Sequence, residues 1–140
     1  MKNEYQTEKD GIKKEPSKSN ESGGDTSLGK AVFDWDGLVY RLMGDEALAE
    51  EIVDDFLKQI PINLEALKQS LGNKDAFLVK RESHVIKGSA GNIGAVVLQE
   101  IAEKIEKAGD SEDLIKAELY ITEFDAQLDV FKKELDRLFR

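Results

Sequence analysis

The sequence predicts an all-α domain, an antiparallel four-helix bundle with a short N-terminal helix across one end. Three observations predict it. Apolar residues recur at spacings of three and four over several long stretches after residue 44, the period of a single helix face. Glycine-containing turns punctuate those stretches and are short enough to make successive helices antiparallel neighbours. No run alternates apolar and polar residues beside turn chemistry, so no strand is predicted.

Residues 1–30 are rich in Lys, Glu, Ser, Asn and Gly and nearly free of large apolar side chains. Such a segment buries too little surface to offset its ordering entropy, and it reads as a flexible tail or interdomain linker. The domain is expected over 31–140. Phe33, Trp35, Leu38, Val39 and Leu42 mark the short first helix, punctuated by Gly44 and Asp45. From Asp45, a plausible N-cap, the residues Leu48, Ile52, Val53, Phe56, Leu57 and Ile60 form a helical stripe. Pro61 interrupts it, and the spacing resumes through Ile62, Leu64, Leu67 and Leu71. Proline there either kinks one long helix or separates two.

The stretch from residue 75 to about 91 places Leu78, Val79, Ser83, Val85, Ile86, Ala90 and Ile93 on one face. The single histidine, His84, falls on the other side with Phe77, Lys80, Arg81, Lys87, Gly88 and Gly91. Leu98, Ile101, Ala102, Ile105 and Ala108 mark the next helix, with Gly109 expected to end it. The last helix is expected from Asp110 or Ser111, with Glu112 and Asp113 in its first turn and Lys132, Lys133, Arg137 and Arg140 towards its end. Those charges complement the helix dipole. Leu114, Ile121, Phe124, Leu128, Phe131, Leu135 and Leu138 form its core stripe.

Composition narrows the function. The net charge of −9 lies entirely in residues 31–140, because six Lys balance six Asp and Glu in the first thirty residues. Nucleic acid is a poor partner for such a domain. No apolar run approaches the ~18 residues of a membrane span, and no signal-type segment opens the chain, so a cytoplasmic protein without membrane insertion is expected. The absence of cysteine removes disulfides and thiolate chemistry. One histidine cannot build a multi-histidine metal site, no phosphate-binding loop occurs, and no G-x-S-x-G elbow supports a serine nucleophile.

What remains is His84 as the reacting group. Surface histidines and glycine caps are common one at a time. Here an outward imidazole is followed three residues on by Lys87 and then by Gly88, which costs a helix about 1 kcal/mol relative to alanine. Close approach by another macromolecule would account for that cost. An imidazole nitrogen can accept a phosphoryl group, and such a transfer depends on placement and charge neutralisation.

The segment Ser83 to Ala95, with His84, Lys87, Gly88 and then Asn92-Ile93-Gly94-Ala95, resembles the signature of histidine-containing phosphotransfer (HPt) domains. The match continues to Glu106 and Ala108. Upstream, Phe33-Asp34, Arg41 to Asp45, Phe56 and Pro61 look like the start and second helix of HPt domains at the C-terminal ends of hybrid sensor kinases. The resemblance covers about residues 32–139; Ser83 and Gly91 stand where alanine is frequent, and both remain small. It implies an HPt-like bundle in which His84 accepts a phosphoryl group from a receiver-domain aspartyl phosphate and passes it to another receiver. The domain would be a covalent phosphoryl carrier with no kinase core. Lys87 would neutralise phosphoryl charge, and Gly88 would leave room for the receiver's loops. Lys80, Arg81, Gly91 and Phe77 would line the docking face, and Glu106 would orient the ring.

Partners implied are response-regulator receiver domains, with a hybrid sensor kinase in cis as a further one. No cofactor is expected in this chain, the Mg²⁺ coming from the receiver. A monomer is expected, since the His84 face is the one docking surface the sequence suggests. Two alternatives stay open: direct phosphorylation by a chemotaxis-type histidine kinase, and a receiver-binding bundle that is never phosphorylated.

Overall fold

The computed structural model describes residues 32–139, and the expectation for residues 1–30 lies outside them. Five helices follow one another: α1 Trp35–Arg41, α2 Glu46–Gly72, α3 Ala76–Ile93, α4 Val96–Asp110 and α5 Leu114–Phe139. The four long ones form the bundle. α3 packs against α2 and α4, α4 against α5, and a lighter contact between α5 and α2 closes the ring. α1 touches α2 and α3. No helix among the described residues is long and apolar enough to cross a membrane.

Four of the five helix starts have a side-chain cap, α4 behind Ala95 being the exception. Asp34, Asp45, Asp75 and Asp113 accept hydrogen bonds from the amides of Gly37, Leu48, Leu78 and Lys116 at 3.0, 3.0, 3.1 and 3.1 Å. Each bond satisfies an amide that its helix leaves without a partner, worth about 1 kcal/mol per cap. One polar clasp, far along the chain, holds α1 in place. Asp34 N donates to Gly94 O at 2.8 Å, and Arg41 Nη2 donates to Asn92 O at 2.8 Å. Gly94 has φ +83°, and a Cβ there would lie 2.9 Å from Asp34 O. Glycine is therefore required at that turn twice over, by conformation and by space.

The core is aromatic at the α1 end. Phe131 meets Phe33 and Phe56 edge-on, with ring centroids 5.3 and 5.8 Å apart, and Trp35 meets Phe139 at 5.1 Å. Phe124 and Phe131 are fully buried. Truncating either to alanine costs about 3–5 kcal/mol, since lost transfer energy and a residual cavity add.

The structure decides between the two arrangements expected at Pro61 and departs from the sequence reading at three places. At Pro61 it has the single long helix: α2 continues through this exposed proline, with Ile60 and Leu64 on either side buried. Their burial offsets the roughly 3 kcal/mol that an interior proline costs. Leu48 and Ile62 on α2, Val85 on α3 and Leu138 on α5 are exposed, having fallen just outside the buried arc that Val53, Phe56, Val79, Ile86 and Leu135 occupy. Gly109 does not end α4. It is buried within it, and the helix continues to Asp110. The last helix consequently starts later, at Leu114: Glu112 adopts φ +58° in the turn and Asp113 caps α5.

Candidate functional site

α3 presents its two faces as the periodicity requires. Val79, Ser83, Ile86, Ala90 and Ile93 are buried, and His84 stands outward with a side chain 66% exposed. Ser83, the residue before it, is wholly buried. Its hydroxyl donates to Val79 O at 2.7 Å, with Lys80 O at 3.0 Å, so its polar group is satisfied within its own helix.

The chemistry of the ring is set from α4. Glu106 Oε2 lies 2.8 Å from His84 Nδ1, and Oε1 lies 2.9 Å from Lys87 Nζ. The carboxylate is only 18% exposed. Oε1 is buried, and the ammonium approaches it too obliquely for a directed hydrogen bond, so this contact is chiefly an ion pair. Burial by itself pushes the Glu106 carboxyl up. The pull of Lys87 and of His84 outweighs it, leaving the carboxyl below its ordinary value. The same carboxylate holds the Lys87 ammonium above its ordinary range.

An ionised carboxylate only accepts, so the nitrogen beside it carries the proton. Nδ1–H donates to Glu106, and in the neutral ring Nε2 is left with the free lone pair. The exposed imidazole is thus fixed in the tautomer and orientation of a nucleophile facing outwards.

The other expected site residues fall around this pair in different ways. Gly88 is exposed, and a Cβ there would meet nothing within 4 Å. No packing inside the domain requires glycine at that position. Phe77 is 66% exposed. Arg81 is exposed and pairs with no described residue. Lys80 is already engaged, 2.9 Å from Asp110, which raises its ammonium above the ordinary range. Gly91 is covered: a Cβ on it would lie 2.7 Å from Gln99 Nε2. Its side of α3 faces α4 rather than open solvent.

Sequence reasoning missed Gln99 and Asp110, whose roles depend on which residue lies across the helix seam. It also missed the groove of about 240 Å³ on the opposite flank of α3, where Gln59 and Asn63 of α2 face Ser89 and Asn92. Away from the site, Ile115 and Leu119 on α5 are 77% and 65% exposed, apolar surface that the sequence reading had not assigned.

Fold and site together define a helical-bundle domain with one outward imidazole whose Nδ1 is held by a carboxylate. The Hpt domain family model matches residues 51–139. A curated relative, the phosphorelay intermediate protein rdeA of Dictyostelium discoideum, is 30% identical over 108 residues. That alignment covers 77% of this chain and 40% of the relative, so the chain spans about two fifths of rdeA's length. Among solved structures, histidine-containing phosphotransfer protein B (HptB) from Pseudomonas aeruginosa PAO1 superposes with a TM-score of 0.68 at 24% identity. That superposition covers 78% of this chain and 97% of the other, a likeness of fold. The chain belongs to the Hpt domain family.

Proposed function

We propose that His84 accepts a phosphoryl group from the aspartyl phosphate of a response-regulator receiver domain and delivers it to the aspartate of another. One observation carries this reading: an outward imidazole whose Nδ1 is engaged by Glu106 at 2.8 Å, leaving Nε2 to react. Nε2 attacks phosphorus in line, the N–P bond forms, the P–O bond to the receiver breaks, and the aspartate leaves as a carboxylate. No proton need be removed from the ring. Nδ1 keeps its hydrogen, and the positive charge the ring gains lies against the Glu106 carboxylate. Transfer onwards reverses these steps on a second receiver.

Lys87, whose side chain is 29% exposed, is close enough to turn from Glu106 towards phosphoryl oxygens. The open space over Gly88 admits the receiver's loops, with Phe77 and Arg81 offering apolar and cationic contacts beside it. Within this proposal the Mg²⁺ belongs to the receiver and supplies charge neutralisation at the phosphoryl oxygens. The cellular site of this exchange is the cytoplasm.

The test is incubation with phosphorylated receivers and Mg²⁺, comparing wild type with His84→Gln. An acid-labile, alkali-stable label on wild type alone is the expected result. A label that survives His84→Gln moves the reaction elsewhere. No label from several receivers, with label from an ATP-charged kinase core instead, would make the domain a direct kinase substrate. No label from either would leave a binding bundle.

A further inference from the structure

α3 and α4 approach each other backbone to backbone at Gly109, one helical turn from the His84–Glu106 contact. A Cβ built on Gly109 would lie 2.8 Å from Lys80 N, 3.1 Å from Lys80 Cα and 3.2 Å from Ala76 O. These are main-chain atoms, so no side-chain rotation can relieve the contact. On the next residue, Asp110 Oδ1 meets Lys80 Nζ at 2.9 Å and ties the same point of the seam. Glu106 is three residues back along α4, about 4.5 Å by helical rise. Its carboxylate bridges the seam to both His84 and Lys87.

We infer that Gly109 is a positioning residue for the phosphotransfer site: its missing side chain sets the width of the α3–α4 seam at which Glu106 reaches His84 Nδ1. Glu106 is mostly buried because the helices close over it. Any side chain at 109 moves the two backbones apart, admits water to Oε1 and lengthens the contact that fixes the ring. The ring then exchanges between tautomers, and the fraction with a proton on Nε2 cannot attack phosphorus. The consequence for transfer rests on the proposed role of His84, whereas the consequence for the ring does not.

The experiment therefore reads the two separately. In the unphosphorylated domain, ring ¹⁵N shifts of His84 report the tautomer, and single-turnover transfer from a phosphorylated receiver reports the rate. For Gly109→Ala with helicity retained, we expect the Nδ1–H tautomer to lose its dominance and transfer to slow by about tenfold, since misplacement on the ångström scale costs up to ~10²-fold. Gly72→Ala, where a Cβ would meet nothing within 4 Å, is expected to leave both readouts at wild-type values. Glu106→Asp keeps the carboxylate but shortens its reach by one methylene, so it tests the spacing even if Gly109→Ala fails to fold. We expect the same tautomer shift from it. Wild-type ring shifts in a folded Gly109→Ala would overturn the inference. So would wild-type shifts in Glu106→Asp alone, should Gly109→Ala not fold. A wild-type domain that takes no phosphoryl group would overturn the proposed function and leave the ring result standing.

Discussion

The two flanks of α3 are built differently. On the α4 side the charges of α3 have partners across the seam: Lys80 with Asp110, and His84 and Lys87 with the one carboxylate of Glu106. On the α2 side the side chains of Gln59, Asn63, Ser89 and Asn92 line a groove and make no hydrogen bond among the described residues, although Asn92 O accepts from Arg41 Nη2 at 2.8 Å. The first flank fixes the electronic state of the ring. The second makes no contact with the ring. The contrast separates residues that touch the ring or its carboxylate from residues that do not.

Substitutions should sort by flank. The largest effect is expected from Glu106→Gln, which removes the anion from the ordered flank. Transfer in a single-turnover assay should fall by up to about a hundredfold, with helicity by circular dichroism retained. Loss of helicity together with transfer would mean that the carboxylate supports the fold, not the ring. Gly88→Ala comes next and splits stability from activity. A methyl there meets no atom of the domain, so thermal unfolding should show a gain approaching 1 kcal/mol, while transfer slows severalfold as the methyl obstructs the receiver.

The pH dependence of stability sharpens the same comparison. Because the folded Glu106 carboxyl sits below its ordinary 4.5, the unfolded chain binds the proton first. The stabilisation is then complete above 4.5 and is lost as pH falls through the folded value. Denaturant midpoints of wild type and Glu106→Gln should converge over that acid range, and parallel curves there would mean that Glu106 adds nothing to acid stability. The smallest effect is expected from Asn63→Ala on the open flank. Its stability change should stay within ~0.5 kcal/mol and the His84 ring shifts should not move, leaving receiver affinity as the one quantity able to change.

The sequence reading succeeded where a feature belongs to one helix. The outward direction of His84 and the burial of Ser83 both follow from the 100° step along α3, and the Asp45 cap follows from its place before an apolar stripe. It failed where the meaning of a residue lies in a neighbouring helix. A glycine after an amphipathic run looks like a helix end, and only the Lys80 backbone 2.8 Å away shows that Gly109 is a point of contact. Lys80 reads as a docking cation until Asp110 is found beside it. Val85 and Ile62 read as core because apolarity alone does not show where the buried arc ends.

Glu106 answers to two residues with one carboxylate, and this links their fates. The free energy of any change at the His84 ring contains a share of the Lys87 contact, and the converse holds equally. A double-mutant cycle on His84 and Lys87 should therefore be non-additive by about 0.5–3 kcal/mol in unfolding free energy, although the two side chains are joined only through a third. The lysine and the ring, each held by the same carboxylate, are one thermodynamic unit, and neither can be tuned alone.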